Sequence, residues 1–202
     1  MPTGAAAKPT TLRLVWVDVR GMAGAIRADA MAETAAILEA ADVHVEWDTS
    51  RGGQRTVREN EIQVVLLGSG SSAMPSDVMG SAYPGARGAR TVWVFLSGIR
   101  AALGYEPHGR VALRPLESQN LARAVGRVIV HEIVHLTAPD RPHSDTGLMA
   151  ARLGRPILVL PRLQLEVGLR DVLHRAATID TRDTDASTGV RTVLAEDGAD
   201  IE

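Results

Sequence analysis

The chain has 202 residues, 45% of them hydrophobic and 23% charged, which suits one soluble domain with a sizeable core and excludes wholesale disorder. A formal charge of −2 offers no basic field to a polyanion, so nucleic acid is excluded as an expected partner. Cysteine is absent, which removes disulfide frameworks, thiolate metal sites and cysteine nucleophiles together and leaves any metal to His, Asp or Glu.

The opening MPTGAAAKPT has no apolar stretch behind it, and no run of about 18 apolar residues follows. Neither an export signal nor a membrane span is expected, the lack of a signal favours a cytoplasmic location without fixing it, and a monomer is the expected state. Residues 1–10 read as an N-terminal tail. TLRLVWVDVR (11–20), rich in β-branched and aromatic side chains and ending at Gly21, predicts a buried strand. Met22, Ile26, Ala30, Ile37 and Ala41 recur at helical spacing and predict a helix from Met22 to about Ala41. VHVEWDT (43–49) alternates as a strand. A turn-rich RGGQRTVREN then leads into a third strand, IQVVLLGS.

The Gly-, Ser- and Pro-dense stretch from Gly68 to Arg90 predicts an irregular loop with a short extended piece at Met79 to Tyr83, followed by a strand at TVWVFLS (91–97). After a Gly- and Pro-punctuated stretch through Pro115, Ser118 or Asn120 can cap a helix from Leu121 to about Leu136. Leu165, Leu169, Val172, Leu173 and Ala176 predict a last amphipathic helix packed on the sheet. Residues 178–202 hold seven acidic residues against two Arg and no helical period, and read as a flexible acidic tail. The expected fold is therefore a single α/β (α+β) domain over residues 11–177, with a twisted mixed sheet, an active-site helix and a C-terminal helix.

Within the long predicted helix stands His131-Glu132-Ile133-Val134-His135. Residues four apart on a helix share a face, so both imidazoles can reach one ion while Glu132 projects beside it. Zinc held by neutral nitrogens keeps an open position for water and lowers that water's pKa toward about 7, and a neighbouring carboxylate can act as base and then acid. A chance HExxH match at this chain's His and Glu frequencies has odds of about one in a hundred. The apolar neighbours Ile129, Val130, Ile133 and Val134 argue against a merely solvated helix face. Stopped by Pro139, the helix would let the chain fold back and bring His143 to the metal. His44, His108 and His174 stand singly and read as structural or surface residues. Gly68-Ser69-Gly70-Ser71-Ser72 lacks the Lys and the following helix of a phosphate cradle.

HEIVH, then His143-Ser144, then Gly147-Leu148-Met149 resembles the metzincin zinc peptidases, the matrixin-like branch in particular. Ser81-Ala82-Tyr83-Pro84-Gly85 and the strand TVWVF are similar to that branch's substrate-binding edge strand and its neighbour. The resemblance spans residues 11–177, with its specific motifs in 131–149. It implies one catalytic Zn2+ held by His131, His135 and His143, and Glu132 as general base and then acid. It also implies Met149 as the hydrophobic floor of a Met-turn, and a protein or peptide substrate paired with Gly80, Ser81, Ala82 and Tyr83.

The usual pattern places five residues between the second and third His. Here seven intervene, with Ala138 and Pro139 where a Gly is expected. Asp140 is therefore an alternative third ligand and Glu166 or Asp145 more distant ones, while Ser144 and the Gly147-Leu148-Met149 turn favour His143. The propeptide cysteine that often holds matrixins latent has no counterpart in this chain. A zinc amidase acting on a non-protein amide and a non-catalytic binding module of the same fold are the competing expectations. An intact Glu132 argues against the second, since a purely structural site would close its fourth position.

Overall fold

Residues 10–49, 61–71, 74–85, 89–108 and 113–178 are described by a computed structural model of the chain. The two predicted tails, apart from Thr10 and Thr178, and the turn-rich connection at 51–60 lie outside these residues. Alternation decides how the strands sit. In β1 (Thr10–Val17) Leu12, Leu14 and Trp16 face one way; Ile62, Val64 and Leu66 of β3 (Glu61–Leu67) and Val92 and Val94 of β5 (Arg90–Phe95) do the same, and all are buried. With β2 (Val43–Asp48) and β4 (Gly80–Tyr83) they form a five-stranded sheet in the order β2-β1-β3-β5-β4. Four strands are parallel, and β4 runs antiparallel to β5 at the edge. The fold is thus a mixed α/β domain, as the element pattern predicts.

The apolar face of the sheet is covered by α1 (Arg27–Glu39), α3 (Pro115–Thr137) and α5 (Leu169–Thr178), whose buried residues join those of the strands in one continuous core. The opposite face carries the cross-strand Arg13–Glu46 ion pair at 2.9 Å and the stacked rings of Tyr83 and Trp93. α5 packs on α3, β1 and β2, and Leu165 precedes it.

Several boundaries differ from the sequence expectation. The first helix starts at Arg27 rather than Met22, because the Asp18 carboxylate accepts the N–H groups of Met22 and Ala23 (2.9 and 2.8 Å) and holds that stretch as separate turns. Strand β5 ends at Phe95. Leu96, Ile99 and Leu103 then bury one side of a short helix, α2 (Leu96–Ala102), in a region expected to be strand end and loop.

The long helix begins at Pro115, a turn and a half before Leu121, and neither Ser118 nor Asn120 caps it. Proline suits the first helical turn, and the Glu117 side chain accepts the Arg114 N–H at 2.9 Å in a capping box. A further short helix, α4 (Arg155–Val159), carries Pro156 in its first turn, is followed by Pro161 and has no counterpart in the sequence expectation. It is tied to α3 by Arg127, fully buried, which donates to the Ile157 and Leu160 carbonyls and to Glu33 of α1.

Candidate metal centre

The last two turns of α3 form one wall of the site. Val125, Val128, Ile129, Ile133 and Val134 are buried, and each such side chain contributes about 1.5–3 kcal/mol by leaving water. That packing fixes the rotation of the helix, and with it the direction of His131, Glu132 and His135. Ala138 caps the helix through its N–H to the Val134 carbonyl, 2.8 Å away. Pro139 follows and the chain turns back, as the sequence predicts. The reversal carries His143 to the helix. His135 Nε2 stands 3.0 Å from His131 Nε2 and 3.0 Å from His143 Nε2.

Three ring nitrogens so close need a shared positive partner. The His131 Nδ1–H donates to the Leu148 carbonyl at 2.7 Å, which leaves its Nε2 a bare lone pair. An Nε2–H on His135 can serve only one of its two neighbours. A cation between the rings satisfies all three, and tetrahedral zinc with Zn–N near 2.0–2.1 Å would set its nitrogens about 3.3 Å apart. The ligating atoms of His131, His135 and His143 all lie within 4.8 Å of one another, and this is the only such group among the described residues. The donor set therefore fits zinc. Asp140 and Asp145 are exposed and outside the group, and Glu166 is also outside it, on the far side of the loop that follows His143.

Burial shapes the electrostatics. It lowers the pKa of His131, and it lowers that of His135 to about 4, with the neighbouring imidazoles adding to the effect. Both rings are thus neutral, the form a metal needs, at ordinary pH. Glu132 is buried and pushed up to about 7 by desolvation. It belongs to α3 but abuts β4: a Cβ on Gly80 would lie 2.6 Å from Glu132 Oε1.

These residues line a cleft of about 760 Å3 whose facing wall is Gly80, Ser81 and Ala82 of β4. β4 ends the sheet, so its outer edge has no strand partner among the described residues. Ala102, Val128, Leu136 and Leu153 add an apolar lining to the cleft, with Asp77 and Arg152 also on its surface. Tyr83, expected with the other β4 residues, does not line the cleft and stacks on Trp93 at a ring separation of 6.0 Å. Met149 is fully buried in the core. Sequence reasoning misses the Leu148 carbonyl and the bonds that the Glu166 carboxylate accepts from the Ser144 hydroxyl and the Met149 N–H. A backbone acceptor leaves no mark in a sequence, and Glu166 meets the loop only through tertiary folding. Compared with protein-family models, curated proteins and solved structures, the chain has no match in any of them.

Proposed function

We propose that this protein is a zinc-dependent endopeptidase of the metzincin type, as the resemblance of its motifs to the matrixin-like branch implies. One observation carries the reading: three histidine nitrogens converge beside a buried carboxylate that is not one of them, in a cleft walled by a strand whose outer edge is unpaired among the described residues. His131, His135 and His143 would hold the ion. Bound there, zinc would supply Lewis-acid polarisation of the scissile carbonyl and an acidified water.

The chain's own groups do the rest. Glu132, with its proton affinity raised by burial to about 7, takes a proton from the attacking water and returns it to the leaving nitrogen. The outer edge of β4 offers peptide N–H and C=O groups to an extended substrate, which aligns a peptide without reading its sequence. The apolar part of the cleft lining suits a hydrophobic substrate side chain.

Metal content of protein purified without added metal, followed by mass-spectrometric cleavage of a peptide library, tests the reading. Near one zinc per chain is expected, with cleavage that chelator and Glu132→Ala both abolish while Glu132→Ala keeps its zinc. Zinc without peptide cleavage, but with hydrolysis of small amides, would move the assignment to an amidase. No zinc, even after loading, would overturn it in favour of a binding module.

A further inference from the structure

The Leu148–Met149 peptide group is bonded on both sides, to one of the proposed metal ligands and to a carboxylate. Its carbonyl oxygen accepts the His131 Nδ1–H at 2.7 Å, and its N–H, which a trans peptide points the opposite way, donates to Glu166 Oε1 at 2.9 Å. The other oxygen of the same carboxylate, Glu166 Oε2, lies 3.1 Å from the Ser144 hydroxyl, next in sequence to His143. Around it the loop closes on itself: the Ser144 N–H donates to the Met149 carbonyl at 2.8 Å, and the single proton of the Ser144 hydroxyl is shared between Glu166 Oε2 and the Thr146 carbonyl, 2.7 Å away. Gly147, at φ 79°, gives the carboxylate its room, since a Cβ at that position would overlap Glu166 Oε1.

We infer that Glu166 is a positioning residue for the metal centre, acting on His131 through the Leu148–Met149 peptide and on His143 through Ser144. The inference rests on the metal-centre reading above. A negative charge on the N–H side of a peptide polarises the group, so the carbonyl on the other side becomes a stronger acceptor. A stronger acceptor at Nδ1 holds the His131 ring and its tautomer and strengthens donation from Nε2. This is the role a carboxylate bonded directly to a ligand histidine plays in many zinc sites, here transmitted through one peptide group. By tying Ser144 and Met149 to one side chain, Glu166 also fixes the ends of the loop that connects the third histidine to the acceptor of the first. Of the non-histidine ligands the sequence allows, Glu166 thus serves the site from behind the ligands.

The test is zinc affinity, measured by competition with a chromogenic chelator, in the wild-type protein, Glu166→Gln and Glu166→Ala. The proton resonance of the His131 Nδ1–H in the zinc-loaded proteins is recorded alongside. Gln keeps an oxygen for the Met149 N–H but removes the charge, so it separates polarisation from simple stapling of the loop. We expect Glu166→Gln to bind zinc about tenfold more weakly and Glu166→Ala up to about a hundredfold more weakly, with the Nδ1–H resonance moved upfield in both. If Glu166→Ala fails to fold, Glu166→Gln decides the matter. Zinc bound by wild type and both variants with equal affinity and an unmoved resonance would overturn the role of Glu166 and leave the metal centre standing. A wild-type protein that binds no zinc would overturn the metal reading and this inference with it.

Discussion

Gly80 and Glu132 come from different elements and meet where the chemistry is proposed to occur. The 2.6 Å between an added Cβ and Glu132 Oε1 is closer than real Cβ atoms approach any neighbour, so Gly80→Ala must displace either the carboxylate or the strand. Peptide hydrolysis is expected to fall at least tenfold in kcat with zinc content unchanged; full activity in the variant would show that the Glu132 position is not critical. His143 and Asp140 are separated in the same way. The first shares the ligand cluster and the second is exposed outside it, so His143→Ala should lose most bound zinc and Asp140→Ala none, as elemental analysis would show. The HExxH spacing alone makes His131, Glu132 and His135 readable, because i and i+4 share a helix face wherever the helix lies. His143 is readable only with the Ser144 and Gly147-Leu148-Met149 context, since a ligand on a loop has no period to betray it.

At the scale of elements, α3 does most of the organising. It packs against α1, α5, β4 and β5, and Arg127, one turn before His131, locks it to α1 and α4. Arg127 is fully buried and bonds Glu33 at 2.9 Å along with two carbonyls. Arg127→Leu would strand a part-buried carboxylate and two acceptors, at a cost of about 3 kcal/mol. A lower denaturation midpoint in urea is the expected reading, and an unchanged midpoint would show that Arg123, 3.8 Å from Glu33, suffices alone. The strands and the main helices are legible from periodicity. The short helices α2 and α4 are not, because five to seven residues are too few for a period to stand out. The sequence puts the start of α3 too late because a polar residue inside the first turns looks like a cap, whereas Pro115 and Glu117 make the real one.

At the scale of the molecule, the site and the fold are linked through protons. Burial raises Glu132 from its ordinary 4.5 to about 7, so the metal-free folded state holds a proton that the unfolded chain releases above 4.5. This contribution to stability is present below pH 4.5 and is lost as pH rises through about 7. The melting temperature of the metal-free wild type, taken relative to Glu132→Gln, should therefore fall between pH 4.5 and 7, and a flat difference would refute the shift. His135 carries the opposite sign. Depressed from 6.5 to about 4, it favours the folded state above pH 6.5 and ceases to as pH falls toward 4.

The class of fold and the placing of two imidazoles and a carboxylate on one helix are legible in the sequence, because both rest on local regularities. Period 2 in the strands and 3.6 in the helices make an α/β sheet, and HEIVH places two imidazoles and a carboxylate on one helix. Which loop residue joins the cluster, which strand edge faces it and which carboxylate bonds the loop behind it are set by the folded core. His143, Gly80 and Glu166 lie 8, 52 and 34 residues from His135, Glu132 and Glu132 respectively, and separations of that kind are bridged by the packing of one core, which no short-range pattern encodes.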